Sequence, residues 1–164
     1  MFDFFKKKKK ETHDDNQLHA IVDGTVINLT DVPDPVFSQK MMGDGFAMKP
    51  TSGDVYAPVY GTVRTVFPTK HALGLVMDNG IEILLHLGVD TVELEGKPFT
   101  SFVSEGDKVT PDTKLISIDL AQLEKAGKDN SLMVIFTKPD TMSDFSVNES
   151  QFKAGDIIGT VSPK

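Results

Sequence analysis

The sequence predicts an all-β fold, a sandwich or a barrel built from repeated hairpins, and three observations lead to this prediction. Short apolar or β-branched runs alternate with turns rich in Gly, Pro, Asp and Asn. Asp78-Asn79-Gly80 separates two of these runs and is a strong hairpin signal. Turn phrases also recur: Gly-Thr-Val starts at Gly24, Gly61 and Gly159, and Gly-Asp starts at Gly43, Gly53, Gly106 and Gly155.

The predicted strands are runs enriched in β-branched and aromatic residues that end near a turn-forming residue. In chain order they are Leu18–Val22, Thr25–Asn28, Phe46–Pro50, Asp54–Ala57, Gly61–Phe67, the His71–Leu87 hairpin, Thr100–Val103, Lys114–Asp119, Leu132–Phe136 and Ile157–Ser162. Two short helices are also predicted. Asp34 can cap a turn that begins at Pro35, and Asp119 can cap a helix over residues 120–126 that stops at Gly127.

Length and composition favour one folded domain over residues 18–164, preceded by a flexible Lys-rich tail over residues 1–17. The chain has 164 residues, of which 39% are hydrophobic, enough for one well-buried core. There is no Cys, which excludes a disulfide framework or a thiolate nucleophile. No run approaches the roughly 18 apolar residues that a membrane-spanning helix needs. We therefore expect a cytoplasmic protein.

The charge of the chain is divided unevenly between the tail and the body. The net charge is −7, but residues 1–10 contribute +4, so the remaining 154 residues carry −11. Such a body repels nucleic acid and favours basic protein partners. The run Lys6–Lys10 is typical of a solvated tail. The alternative is weak contact of the tail with anionic lipid at the inner face of the membrane, through Phe2, Phe4 and Phe5.

Two histidines fifteen residues apart, His71 and His86, flank the predicted hairpin. A two-residue type I′ loop at Asn79-Gly80 would pair Asp78 with Ile81 and place both imidazoles on one face, as diagonal neighbours about 7–8 Å apart at Cα. Two imidazoles at that spacing can share one small ligand. A three-residue loop would shift the register by one and place them on opposite faces.

Several uses of this pair remain open from the residues alone. Each histidine taken singly can be a hydrogen-bonded core residue. A complete zinc site needs further ligands, and the other two histidines, His13 and His19, lie near the start of the chain. Acid–base catalysis would need a nucleophile or a substrate pocket, and the sequence has no recognisable nucleophile motif or phosphate-binding motif. Covalent phosphoryl transfer needs fewer functional groups than these two alternatives. A neutral imidazole can accept the phosphoryl group on one nitrogen while the other nitrogen donates its hydrogen to a carbonyl.

Residues 80–96, with His86-Leu87-Gly88-Val89-Asp90-Thr91-Val92 at their centre, resemble the phosphorylation-site signature of a known family. This family is the glucose-type enzyme IIA of the bacterial phosphoenolpyruvate-dependent sugar phosphotransferase system. Residues 31–37, 42–50 and 57–61 resemble other stretches of the same family, in the same order. The resemblance extends from about Leu18 to the C-terminus.

The resemblance implies a phosphotransferase component that works through a phosphohistidine intermediate. His86 would accept the phosphoryl group from the histidine-containing phosphocarrier protein and donate it to the IIB domain of a glucose-type sugar permease. His71 would stabilise the phosphoryl group, Thr69 would orient His71, and the carbonyl of Gly88 would orient His86. Partners would dock on an apolar rim and on acidic residues, and the residues so placed are Asp34, Val36, Phe37, Phe67, Asp90 and Val92.

The resemblance also implies a compact antiparallel β-sandwich with Greek-key or jelly-roll character and the histidines in a shallow depression. The protein would be a monomer that requires no cofactor. Zinc could bind between His71 and His86 where a partner supplies a further ligand. Regulation of other proteins in carbon catabolite control is a further expectation.

Two other function classes have some support in the sequence. A biotinyl or lipoyl carrier is suggested by residues 57–63 and 104–109, but the Met-Lys-Met turn is absent because Met48-Lys49 is followed by Pro50. A zinc hydrolase on a related β-fold would need an H-x-H pair, which the sequence lacks.

Overall fold

The computed structural model describes residues 14–164, and their regular secondary structure is mainly antiparallel β-sheet. The predicted all-β class with two short helices is confirmed. The described strands are β1 (Gln17–His19), β2 (Gly24–Asn28), β3 (Asp44–Pro50), β4 (Asp54–Tyr56), β5 (Gly61–Val66), β6 (Ala72–Met77), β7 (Glu82–Leu87), β8 (Phe99–Ser101), β9 (Lys108–Val109), β10 (Lys114–Ile118), β11 (Leu132–Phe136), β12 (Met142–Val147), β13 (Gln151–Phe152) and β14 (Ile157–Pro163). The helices are α1 (Pro35–Ser38) and α2 (Leu120–Lys125).

Three sheets enclose the main core. The large sheet has the strand order β13-β2-β3-β11-β7-β6-β5-β9, and the two small sheets have the orders β1-β14-β12 and β4-β10-β8. All of them contribute buried residues to one hydrophobic cluster. In β6 and β7, alternate residues such as Leu73 and Leu85 face this core, as the two-residue period of a strand requires. The intervening side chains therefore lie on the outer face of the sheet.

A second, smaller apolar cluster covers part of that outer face. Ala47 of β3 and Met133 of β11 point outward and are nevertheless fully buried. They are covered by Leu29 and Phe37, which belong to the segment that includes α1. Asp34 caps α1 by accepting a hydrogen bond from the Val36 amide at 2.8 Å, as the sequence predicts. This cap fixes α1 next to the exposed edge of the cluster.

The loop of the β6–β7 hairpin has three residues, so the expected two-residue turn is wrong. Met77 pairs with Ile81, and Ala72, not Leu73, lies opposite His86. Gly80 has a φ of 94°, while Asn79 is not among the residues with positive φ, which excludes a type I′ turn. The side chain of Asn79 instead donates to Asn16 at 2.9 Å and ties the hairpin to the start of the described chain.

Other differences lie in short or polar segments. The strands β9, β12 and β13 and three 3₁₀ segments, Leu29–Asp31, Thr91–Leu94 and Pro139–Thr141, were not predicted. In β12 no residue is fully buried, so the apolar signal that identifies a strand is weak there. The expectations for Phe2, Phe4, Phe5, Lys6–Lys10 and His13 fall outside the described residues. Within residues 14–164, no helix is long and apolar enough to cross a membrane.

Candidate active site

His86 lies on the outer face of β7, close to the end of the strand. Its neighbours Leu85 and Leu87 are fully buried in the main core, while His86 itself is only partly buried. The ring packs against Phe37 of α1, with centroids 4.8 Å apart. The small outer cluster therefore forms one wall beside the imidazole and leaves the rest of the ring near the surface.

The backbone immediately after β7 anchors the ring of His86. Nδ1 of His86 lies 2.9 Å from the carbonyl oxygen of Gly88. A carbonyl oxygen only accepts hydrogen bonds, so the hydrogen of the neutral ring is on Nδ1 and Nε2 keeps its lone pair. Gly88 has a φ of 90°, and a Cβ there would lie 2.5 Å from Cγ2 of Thr91. Glycine is therefore needed at the position that supplies the anchoring carbonyl.

His71 meets His86 although the hairpin register differs from the expected one. The two ring centroids are 5.1 Å apart and the planes are inclined by 79°. His71 precedes β6 and follows Lys70, whose φ is 57°, so the alternation of a regular strand does not fix the direction of its side chain. The hydroxyl of Thr69 is hydrogen-bonded to Nδ1 of His71. This bond and the edge contact with Phe67, at 5.6 Å between centroids, hold the ring.

The surroundings favour the neutral form of both imidazoles. Burial lowers the pKa of His71 below its ordinary value. Burial also lowers the pKa of His86, and this effect and the nearby His71 outweigh the raising effects of the Gly88 carbonyl and of Asp34 and Asp90. A neutral His86 has a free lone pair on Nε2, which is the form that can act as a nucleophile.

Most of the residues that the resemblance assigns to a docking rim are exposed. Val36 is 39% exposed, Phe67 36% and Val92 48%. Asp90 is also exposed, and Asp34 is partly exposed. Phe37, which the resemblance places with this rim, is instead only 6% exposed and supports the ring of His86 from below.

Two groups of residues near the site were not predicted from the sequence. Met41 and Met42, exposed by 69% and 41%, extend the apolar surface beyond Val36, and the amide of Met41 donates to the Val36 carbonyl. Asp129 and Ser131 contact the turn after β7 from a loop some forty residues further along the chain. A run of exposed methionines in the sequence could have indicated the first group. The second depends on contacts distant in sequence.

The site offers two candidate metal ligands. Across residues 14–164, no group of three or more His, Cys, Asp or Glu side chains is arranged to hold a metal ion. His19, a third imidazole that the sequence offers, lies in β1, where its Nδ1 is 2.9 Å from the carbonyl of Gly155. His71 and His86 would therefore need a further ligand from another molecule to complete a zinc site.

Comparison with known proteins gives one consistent family. Residues 16–142 match the family model described as "phosphoenolpyruvate-dependent sugar phosphotransferase system, EIIA 1". The glucose-specific EIIA component of Staphylococcus aureus (strain COL) is 42% identical over 146 residues, which cover 87% of this chain and 88% of that protein. The solved structure of glucose permease IIA from Mycoplasma capricolum superposes with a TM-score of 0.82 at 42% identity and covers 87% of this chain and 93% of that one.

Two further relatives are longer proteins. The glucose-specific EIICBA component of Streptococcus pneumoniae serotype 4 is 47% identical over 82% of this chain, but the match spans 18% of that protein. The β-glucoside-specific EIIBCA component of Bacillus subtilis (strain 168) is 47% identical over 90% of this chain and 23% of that protein. The chain thus spans about a fifth of the length of these relatives.

Proposed function

The chain belongs to the EIIA 1 family of the phosphoenolpyruvate-dependent sugar phosphotransferase system, and we propose that it carries a phosphoryl group on Nε2 of His86. The single observation that supports this most strongly is the pair of imidazoles, 5.1 Å apart, of which His86 has its Nδ1 anchored on a carbonyl. The donor is the histidine-containing phosphocarrier protein, and the acceptor is the IIB domain of a sugar permease. This function is favoured over a biotinyl carrier or a zinc hydrolase by the family match.

Transfer to this protein is a displacement at phosphorus. The lone pair of Nε2 attacks, the new N–P bond forms as the N–P bond on the donor's histidine breaks, and the donor nitrogen takes back the electron pair. No proton has to leave His86, because its hydrogen stays on Nδ1. The phosphorylated ring is then a cation. The Gly88 carbonyl and the carboxylates of Asp34 and Asp90, which favour the protonated ring, favour this cation for the same electrostatic reason.

His71 stabilises the phosphoryl group without carrying it. When the Thr69 hydroxyl donates to Nδ1 of His71, the ring hydrogen is on Nε2 and can be donated to a phosphoryl oxygen. A neutral donor of this kind stabilises the negative charge on the oxygens of the transferring group. Thr69 is then the residue that sets the tautomer of His71.

The surroundings of the two rings suit docking by large partners. Val36, Phe67 and Val92 supply apolar contact area, and Met41 and Met42 extend it. Asp34 and Asp90 attract a basic surface on the donor, in agreement with the acidic body of the chain. Both phosphocarrier and IIB domain must reach the same nitrogen, so an only partly buried His86 suits this function better than one at the bottom of a deep pocket.

Three further expectations belong to the same proposal. Zinc binds between His71 and His86 only where a partner supplies the remaining ligand. The domain stays in the cytoplasm with a solvated Lys-rich tail, and the alternative for this tail is weak contact with the inner face of the membrane. The unphosphorylated form regulates other proteins in carbon catabolite control, which pull-downs that compare the two phosphorylation states would test.

The central experiment is phosphorylation with purified components. The protein is incubated with phosphoenolpyruvate, enzyme I and the phosphocarrier, and intact mass and peptide mapping locate the product. We expect one added phosphate on the peptide that contains His86, labile to acid and stable to base. Omission of the phosphocarrier serves as the control. Absence of the added phosphate, or its location on another residue, would refute the proposal.

A further inference from the structure

The loop before β11 contacts the turn that supplies the anchoring carbonyl of His86. The amide of Gly88 donates to the carbonyl of Ser131 at 2.9 Å, and the amide of Val89 donates to the carbonyl of Asp129 at 3.0 Å. Both peptide groups that flank the Gly88 Cα therefore depend on this loop for their position. Because Gly88 also supplies the carbonyl that binds Nδ1 of His86, the loop is only two hydrogen bonds away from the reactive ring.

The carboxylate of Asp129 holds the loop in shape. One oxygen accepts the amide hydrogen of Ser131 at 2.8 Å, and the other lies 3.4 Å from Nζ of Lys49 in β3. The same Nζ lies 3.4 Å from the hydroxyl of Ser131. Burial opposes ionisation of Asp129, but the hydrogen bonds from Ser131 and the charge of Lys49 outweigh it and lower the pKa of the carboxyl. The carboxylate is thus ionised and held by both partners at neutral pH.

The contact between the loop and the turn has little free space. A Cβ built on Gly88 would lie 3.2 Å from the carbonyl oxygen of Asp129 and 3.4 Å from the side chain of Leu123. On the other side of the turn, the buried hydroxyl of Thr91 donates to the carbonyl of Leu87 at 2.6 Å. A shift of the Asp129 backbone is therefore transmitted to Gly88 and is not absorbed by a gap.

From these contacts we infer that Asp129 is a positioning residue for phosphoryl transfer, which holds the Gly88 carbonyl in line with Nδ1 of His86. The inference rests on the proposed function of His86. Asp129 acts through the backbone of the turn and fixes the tautomer that leaves Nε2 available. Lys49 and Ser131 support it by fixing its carboxylate.

The test measures the tautomer directly. In protein with ¹⁵N-labelled histidine, NMR distinguishes a ring nitrogen that bears hydrogen from one that does not, and the His86 signals are assigned by comparison with His86→Ala. In Asp129→Ala we expect signal for the tautomer with hydrogen on Nε2 to appear at pH 7.5, and the rate of phosphoryl acceptance to fall about fivefold. Asp129→Asn keeps an acceptor for the Ser131 amide, so its His86 tautomer and its rate of phosphoryl acceptance should both be close to those of the wild type.

A matched control removes a similar ion pair elsewhere. Asp54 pairs with Lys114 at 2.9 Å between β4 and β10, and Asp54→Ala should leave the His86 tautomer and the acceptance rate unchanged. Should Asp129→Ala fail to fold, Lys49→Met carries the test, because it removes the cation while the Ser131 amide bond remains. Lys49→Met should also increase the population of the His86 tautomer with hydrogen on Nε2, but by less than Asp129→Ala.

Two results would overturn the inference. One is an unchanged His86 tautomer in folded Asp129→Ala or, where that variant does not fold, in Lys49→Met. The other is an equal change in Asp54→Ala, which would mean that a general loss of stability is the cause. Failure of the proposed function is distinguishable, because the wild-type protein would then remain unphosphorylated while the NMR comparison could still be made.

Discussion

His19 and His86 have the same anchor and very different surroundings. In each ring Nδ1 lies 2.9 Å from the carbonyl of a glycine, Gly155 for His19 and Gly88 for His86. Nε2 of His19 is buried and has no hydrogen-bond partner among the described residues, and the whole residue is 8% exposed. His86 is only partly buried and has the ring of His71 beside it. A carbonyl on Nδ1 therefore selects a tautomer, but a usable nucleophile also needs an accessible Nε2 and a neighbouring donor.

The largest expected effect is the contrast between the two rings in phosphorylation. His86→Gln should accept no phosphate, since Nε2 of His71 bears the ring hydrogen in the proposed arrangement and Nε2 of His19 is buried. His19→Gln should be phosphorylated at the wild-type rate and should lose about 1 kcal/mol of unfolding free energy with its buried hydrogen bond. Intact mass after incubation with the phosphocarrier and urea denaturation measure the two quantities. Phosphate on His86→Gln, or loss of labelling in a folded His19→Gln, would contradict the comparison.

Removal of the neighbouring imidazole makes His86 resemble His19 more closely. His71→Gln should still accept phosphate on His86, but its donation to the IIB domain should slow by about 10²-fold, the usual loss when one donor to a transferring group is removed. Rapid-quench measurement of each half-reaction separates the two steps. Equal slowing of acceptance and donation would contradict this expectation, because it would show that His71 stabilises the transition states of both steps alike.

A smaller effect is expected from the hydroxyl that orients His71. Thr69→Val keeps the shape of the side chain and removes its hydrogen bond to Nδ1. Donation should slow about fivefold, because a neutral hydrogen bond contributes about 1 kcal/mol. Thr62→Val, which removes a hydroxyl opposite Val76 in the same sheet, is the control and should have no effect. If both variants donate at the wild-type rate, His71 is oriented by packing alone.

The smallest effect concerns pH. Because burial lowers the pKa of His71 and His86, the unfolded chain binds protons more strongly than the folded chain as pH falls below about 6.5. The two neutral rings therefore make their full contribution to the free energy of unfolding above about pH 6.5. This contribution is lost as the pH falls from about 6.5 through the pKa values that the two histidines have in the folded protein. Urea midpoints of the wild type should thus decrease between pH 6.5 and 5.5, and less so in the variant with both histidines replaced by Gln. An equally steep decrease in that variant would assign the effect to other groups.

Local chemistry made much of the fold predictable. The caps at Asp34 and Asp119, the Gly80 turn and most strands follow from short-range patterns that the structure retains. The hairpin register was not predictable from Asn79-Gly80, because this pair fits both a two-residue and a three-residue loop. The choice depends on Asn79, whose side chain bonds to Asn16, sixty-three residues away.

The site was predictable only in part for a similar reason. His71 and His86 could be paired from their spacing, although the correct geometry arises from the bend at Lys70 and not from the expected register. The roles of Thr69 and Gly88 came from family resemblance, and both lie within hydrogen-bond distance of the predicted partners. The contacts of Asp129 and Ser131 with the turn after β7 join segments some forty residues apart, for which the sequence contains no local signal.

The pairing of β1 with β14 has a mechanical consequence. Gln17 lies opposite Thr160, so the first and last strands of the described chain run side by side in one small sheet. A tether joined to either terminus would leave the domain from adjoining strands.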